Sequence, residues 1–208
     1  MFPRYFLHGD RPRDYGGHVS SDVAVAAARR PRQEETFRKL VRAGMDVLRG
    51  SSYADLTVRA VAARAKVAPA TAYTYFSSKN HLIAEVYLDL VQQVPFFTDV
   101  NETRRTRVER TLNRLALVVA DEPVVAAACT TALLSTDPAV RDIRDRIGTE
   151  THRRIKSALG PDADPKTVAA LEMSYFGALV HAGSGVFGYR QIADRLGYLV
   201  GLILGEDA

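Results

Sequence analysis

The chain has 208 residues, 47% of them hydrophobic and 25% charged, with a formal net charge of +4, a globular composition with room for one large core or two small ones. Its single cysteine, Cys129, excludes an internal disulfide and a cysteine-built zinc site, and no stretch approaches the roughly 20 apolar residues of a membrane span. The opening MFPRYFLHGDRPRDYGG lacks the continuous apolar core of a secretory signal, so a cytoplasmic protein with no membrane partner is expected.

Residues 1–32 mix Gly, Pro, Arg and Asp without a sustained period and read as a basic extension, with a short helix expected over 22–30. From Phe37 the pattern changes. Phe37, Leu40, Val41, Gly44, Met45 and Leu48 recur at the spacing of one helix face, and Gly50 ends the run. Thr57 is a candidate N-cap for a two-turn helix carrying Val58, Val61, Ala62 and Ala65. A third helix is expected over 68–75, with Pro69 in its first turn, where a missing N–H is harmless. Ser78 caps a fourth, whose apolar positions Leu82, Ile83, Val86, Tyr87, Leu90 and Val94 hold the helical period until Pro95 stops it. Residues 33–95 thus form an N-terminal unit of three short helices and a long one.

Beyond Pro95 the chain again reads as helical, over 102–120, 123–134, 138–159, 165–187 and 191–204. Asp137-Pro138 and Asp164-Pro165 each set a capping carboxylate before a first-turn proline, and Gly160 is a candidate C′ residue. No segment shows a convincing strand pattern. The fold class is therefore all-α, with about nine helices: an N-terminal helix-turn-helix domain followed by a larger helical domain over 96–208.

Two short helices joined through Lys66 and Val67 have the layout of a helix-turn-helix, whose second helix enters the DNA major groove. Charge distribution agrees, because residues 29–79 hold eleven basic and four acidic side chains. In that arrangement Phe76 turns back toward Phe37, Leu40 and Val61. Tyr73 and Tyr75, on different sides, offer hydroxyls to phosphates, and the small side chains Ala68, Ala70, Thr71 and Ala72 let the backbone approach the bases. Residues 68–76 contain no Arg, Lys, Asn or Gln, the side chains that read guanine or adenine bidentately. Base readout then falls to methyl contacts from Thr71 and Ala72, to Lys66 or Arg59, to DNA shape, or to an Arg29-Arg30-Pro31-Arg32 tail in a minor groove.

The stretch DLTVRAVAARAKVAPATAYTYFSSKNHLIAEV resembles the DNA-binding signature of the TetR family of transcriptional regulators, in which a T-[VM]-R-x-[IV]-A helix precedes an S-x-G-T-[LI]-Y-x-[YH]-F-x-[SN]-K helix. The likeness is continuous from about Phe37 to Val86, with the motif itself over about 57–76. It implies that Thr57, Tyr73 and Lys79 contact phosphates, that Tyr75 lies beside them, and that Arg59, Pro69, Thr71 and Ala72 approach backbone or bases. Three positions depart from the pattern. Lys66 replaces the usual turn glycine, at about 1 kcal/mol if it is left-handed; Ala68 replaces the Ser/Thr cap, forfeiting about 1 kcal/mol; Ala70 replaces a glycine.

The resemblance also implies a homodimer whose last two helices form a four-helix bundle with the partner, and Gly177, Ala178, Gly185, Gly197 and Gly201 are its candidate contacts. A small, apolar effector is expected within the second domain, with Leu115, Val119, Cys129, Leu133, Tyr175, Phe176 and His181 as candidate lining. Ligand and operator would then weaken each other's binding by linkage. The expected partners are a double-stranded DNA operator, the effector and a second copy of the chain. A helical small-molecule-binding protein with a degenerate DNA-binding domain is the alternative. An enzyme is not expected: there is no Gly-x-Ser-x-Gly elbow, no His-Glu-x-x-His and no phosphate-binding glycine loop, and no cofactor site or metal set emerges among His8, His18, His81, His152 and His181.

Overall fold

The computed structural model describes residues 31–205; the helix expected over 22–30 lies outside them. Contacts divide the chain into Met1–Glu35 and Thr36–Ala208, and the packing below belongs to the second unit. Among the described residues there are nine α-helices and no strand: α1 (Pro31–Gly50), α2 (Val58–Arg64), α3 (Pro69–Tyr75), α4 (Lys79–Gln93), α5 (Arg104–Ala116), α6 (Pro123–Leu133), α7 (Arg141–Leu159), α8 (Pro165–Gly183) and α9 (Tyr189–Leu204). Short 3-10 turns at Leu117–Val119 and Pro138–Val140 follow α5 and lead into α7. No single described helix is long and apolar enough to cross a membrane.

The starts follow the capping chemistry. Thr57 Oγ1 accepts the Ala60 N–H at 3.0 Å, Ser78 Oγ the His81 N–H at 3.0 Å, and Asp164 Oδ2 the Thr167 N–H at 2.9 Å. Asp137 caps as expected, Oδ1 accepting from Ala139 at 3.0 Å, but what it caps is the 3-10 turn before α7. Helix α1 begins at Pro31 rather than at Phe37, because residues 31–36 bury no stripe and leave no period to read. Helix α8 stops at Gly183 rather than at Phe187. Ser184 caps it, and Gly185 turns left-handed at φ 76°, a conformation that needs no Cβ.

Helix α4 lies at the centre. Seven consecutive residues, Leu82 to Leu88, are buried, since α6 and α7 pack on it and Gly44 of α1 faces Leu82 and Val86. Its C-terminus is closed by Arg154 of α7, buried, whose guanidinium donates to the carbonyls of Gln92 (2.9 Å) and Val94 (3.0 Å). Helices α5, α7, α8 and α9 complete the larger half, and apolar residues from Phe37 to Val200 form one continuous core. A close crossing locks α6 to α8: a Cβ on Gly183 would sit 2.4 Å from the Thr130 side chain and 2.9 Å from its Cβ. Gly183→Ala should therefore destabilise the protein by about 1–3 kcal/mol in chemical denaturation, and Thr130→Ala in the same chain, which removes the two atoms at 2.4 Å but keeps the Cβ at 2.9 Å, should restore only part of it.

Candidate nucleic-acid interface

The helix-turn-helix is α2, a turn and α3. Lys66 occupies the turn at φ 55°, among the described residues the one non-glycine with positive φ, so the departure from glycine leaves the backbone path intact and places strain there. Val67 N–H returns to the Ala62 carbonyl at 2.9 Å and closes the turn. Ala68 occupies the N-cap of α3 without a side-chain bond, as its methyl dictates, and Pro69 starts the helix.

What holds α3 down is its C-terminal end. Phe76 has no exposed surface; its ring centroid lies 5.5 Å from Phe37 and 5.7 Å from His81. Ala72, one turn earlier on the same face, is equally buried. This corrects the expectation that Ala72 touches bases: its methyl packs inward, and the exposed surface of α3 belongs to its neighbours. Ala68, Pro69, Ala70, Thr71, Tyr73 and Thr74 are all exposed, Tyr73 by 53%. Thr74, whose hydroxyl donates to the Thr71 carbonyl at 2.7 Å, carries no signal in the motif and is an addition to the set. Tyr75 is half-buried, 6.4 Å from the Phe37 ring, so its body packs while its edge reaches the surface.

Flanking cations complete the surface. Thr57, Arg59 and Lys66 are exposed. Lys79, expected at phosphate, is half-buried: its ammonium donates to the carbonyls of Tyr53 (3.0 Å) and Ala54 (3.4 Å) and lies 4.6 Å from the Tyr53 ring centroid. Arg64 is tied at 2.9 Å to Asp46 of α1, fixing α2 against it.

In the larger half, Leu115, Val119, Cys129 and Tyr175 are buried and Leu133 is half-buried. Burial pushes the Cys129 thiol up to about 12, so it is a protonated, inert part of the core. The Tyr175 hydroxyl is 2.9 Å from that of Tyr87, and burial raises both phenols so that they stay neutral. Phe176 and His181 do not join them. Both are exposed on the outer side of α8, because with Leu171, Tyr175 and Ala182 facing inward, residues one position away from Tyr175 and Ala182 point outward. A groove of about 430 Å³ between α5 and α9, carrying Glu109, Arg110, Arg114 and Asp194, opens to solvent and is charged, unlike the apolar lining expected of an effector site.

The expected dimer contacts divide. Gly177 is exposed, and a Cβ there or on Gly197 would meet open space; Ala178 is half-buried. At Gly201 a Cβ would lie 2.8 Å from the guanidinium of Arg105, the movable end of a flexible side chain. Gly185 is not on a helix at all. Spacing of glycines missed what surrounds them: Met173, Phe176 and Val180 on α8 and Tyr198 and Leu202 on α9 are large exposed apolar residues at helical intervals. Among the described residues no group of three or more His, Cys, Asp or Glu could hold a metal ion.

Comparison with known proteins agrees with the motif. The family model described as bacterial regulatory proteins, tetR family, matches residues 40–86. An HTH-type transcriptional regulator of Mycobacterium tuberculosis (strain ATCC 25618 / H37Rv) is 70% identical over 183 residues, covering 87% of this chain and 86% of that protein. A TetR transcriptional regulator from Rhodococcus sp. RHA1 superposes with a TM-score of 0.72 at 19% identity, over 85% of this chain and 99% of that one. FadR of Thermus thermophilus, a TetR-family transcriptional repressor solved in complex with lauroyl-CoA, gives 0.60 at 17% identity, over 79% and 92%. With the helix-turn-helix matched in spacing and sequence, and a relative of such identity along most of its length, this chain belongs to the TetR family of DNA-binding transcriptional regulators.

Proposed function

We propose that the protein is a cytoplasmic, homodimeric repressor that leaves its operator when a small apolar ligand binds the larger half. Residues 33–95 act as the DNA-binding domain and residues 96–208 as the effector and dimerisation domain. The observation that carries this reading is the exposed face of α3, small at Ala68, Ala70 and Thr71 and flanked by Tyr73, Arg59 and Lys66. Small side chains allow close approach, and the flanking hydroxyl and cations supply phosphate contacts that set register. The buried side chains of Leu115, Val119 and Cys129 favour an apolar ligand, and the lauroyl-CoA bound by Thermus thermophilus FadR offers an apolar acyl chain, though on a charged coenzyme A. The repressor role is that printed for FadR; release of DNA by the ligand is part of the proposal.

Fluorescence polarisation with the duplex upstream of the protein's own gene and a scrambled duplex, at two salt concentrations, tests the reading. Preference for the upstream duplex is expected. Tyr73→Phe combined with Lys79→Ala should weaken it about tenfold or more and flatten the salt dependence by about one unit of slope for each lysine removed. Equal, weak binding to both duplexes that vanishes with salt would instead favour a helical ligand-binding protein in which Lys66, Ala68 and Ala70 have removed specificity.

A further inference from the structure

The recognition helix is joined to the larger half at its exit, through two residues. Phe76 ends α3 and Ser78 begins α4, so whatever fixes Ser78 fixes the angle at which α3 leaves the core. The Ser78 hydroxyl uses both of its roles: it accepts from the His81 N–H and donates to Asp137 Oδ2, on the turn entering α7. The two oxygens of Asp137 do different work. Oδ1 caps its own turn through Ala139, while Oδ2 reaches across to α4. Asn80, in the same first turn of α4, accepts the Tyr53 hydroxyl at its Oδ1. Tyr53 in turn holds Lys79 by its carbonyl and its ring.

We propose that Asp137 is a positioning residue through which the segment entering α7 sets the recognition helix, by accepting the hydrogen bond of Ser78 at the start of α4. The inference rests on α3 as the DNA-contacting helix. Hydrogen bonds from Ser78 first, then from the Ala139 amide, hold the Asp137 carboxyl below the usual carboxylate range, so the acceptor is charged and its bonds are strong. Two other ion pairs join the same regions, but neither acts at this junction. Arg49–Glu122 (2.6 Å) links the end of α1 to the start of α6 and is solvent-screened, and Arg146–Glu85 (2.7 Å) tethers the body of α4 well below its first turn. Movement at the start of α7 therefore reaches the DNA-facing surface through Asp137.

Asp137→Asn separates the two oxygens, because the amide oxygen still caps Ala139 while the NH₂ no longer accepts from Ser78. Hydrogen–deuterium exchange of the full-length protein reads the result amide by amide. In Asp137→Asn, amides of α3 and of the first turn of α4 should exchange about tenfold faster or more, while those of 138–143 keep their protection. Asp164→Asn, the same change at a cap that here bonds only its own first turn, should leave the recognition helix unchanged. Wild-type exchange over α3 and the start of α4 in Asp137→Asn overturns the proposal, as does a loss confined to 138–143. Should that variant unfold throughout, Asp137→Ser decides, since the shorter hydroxyl still caps Ala139 but does not reach Ser78: faster exchange over α3 and the first turn of α4 supports the contact, and no change there overturns it. The readout needs no DNA, so its failure and a failure of operator binding are separate results.

Discussion

Phe176→Asp should convert a dimer into a monomer and lower operator affinity at least about a hundredfold. Phe176 sits mid-way along the outer stripe of α8, between Met173 and Val180, with Tyr198 and Leu202 of α9 also exposed. Apolar groups spaced along two neighbouring helices need a cover, and a second copy of the same surface would supply it in an isologous contact. A carboxylate at its centre would be desolvated on association, a penalty of several kcal/mol. In the monomer 38% of the Phe176 surface faces water and the rest packs beside Tyr175, so the fold should persist with a modest fall in melting temperature. Affinity falls because a two-fold operator is read by two recognition helices at once, and each alone retains only its own half-site. Light scattering gives the mass and polarisation gives the affinity. A variant that remains dimeric would place the interface on another surface.

Phe76→Ala should destabilise the protein by about 3–5 kcal/mol, a large share of the roughly 5–15 kcal/mol typical of a whole domain. The ring is fully buried against Phe37 and His81, and Ala72 beside it is too small to collapse into the space. Damage should be local, since α3 has only seven residues and relies on this anchor rather than on its own propensity. Operator binding is expected to vanish at temperatures where the protein is still dimeric. Tyr73→Phe, which removes one exposed hydroxyl, should leave the denaturation midpoint almost unmoved, and this contrast separates the packed aromatic from the DNA-facing one.

Much of the fold was legible because its signals are local. Thr57, Ser78 and Asp164 cap within three residues of themselves, and Lys66 had to be left-handed for two short helices to meet at a helix-turn-helix angle. Misreadings arose where a local pattern admits two phases. Tyr175 and Phe176 are neighbours, so they cannot share a helix face, and the structure gives the inward place to Tyr175 alone. Ala72 lies one turn before Phe76 and shares its burial, a relation present in the spacing but outweighed by the motif's association with DNA. Arg105 lies against Gly201, a neighbour that sequence distance hides. The contact between Ser78 and Asp137 crosses 59 residues and rests on side-chain geometry, so no periodicity could announce it.

Lys66 has a further consequence. A glycine in that turn would be electrically silent, whereas the lysine sets a fixed cation at the tip of the motif at about 1 kcal/mol of backbone strain. If each copy in a bound dimer neutralises one phosphate there, two condensed counterions are released, and the equilibrium gains a salt exponent of about −1.8 from this turn alone. Between 50 and 200 mM salt that is about a twelvefold change in occupancy-determining affinity. The regulator's grip would thus follow the ionic strength around it, independently of any ligand, through a residue that reads no base.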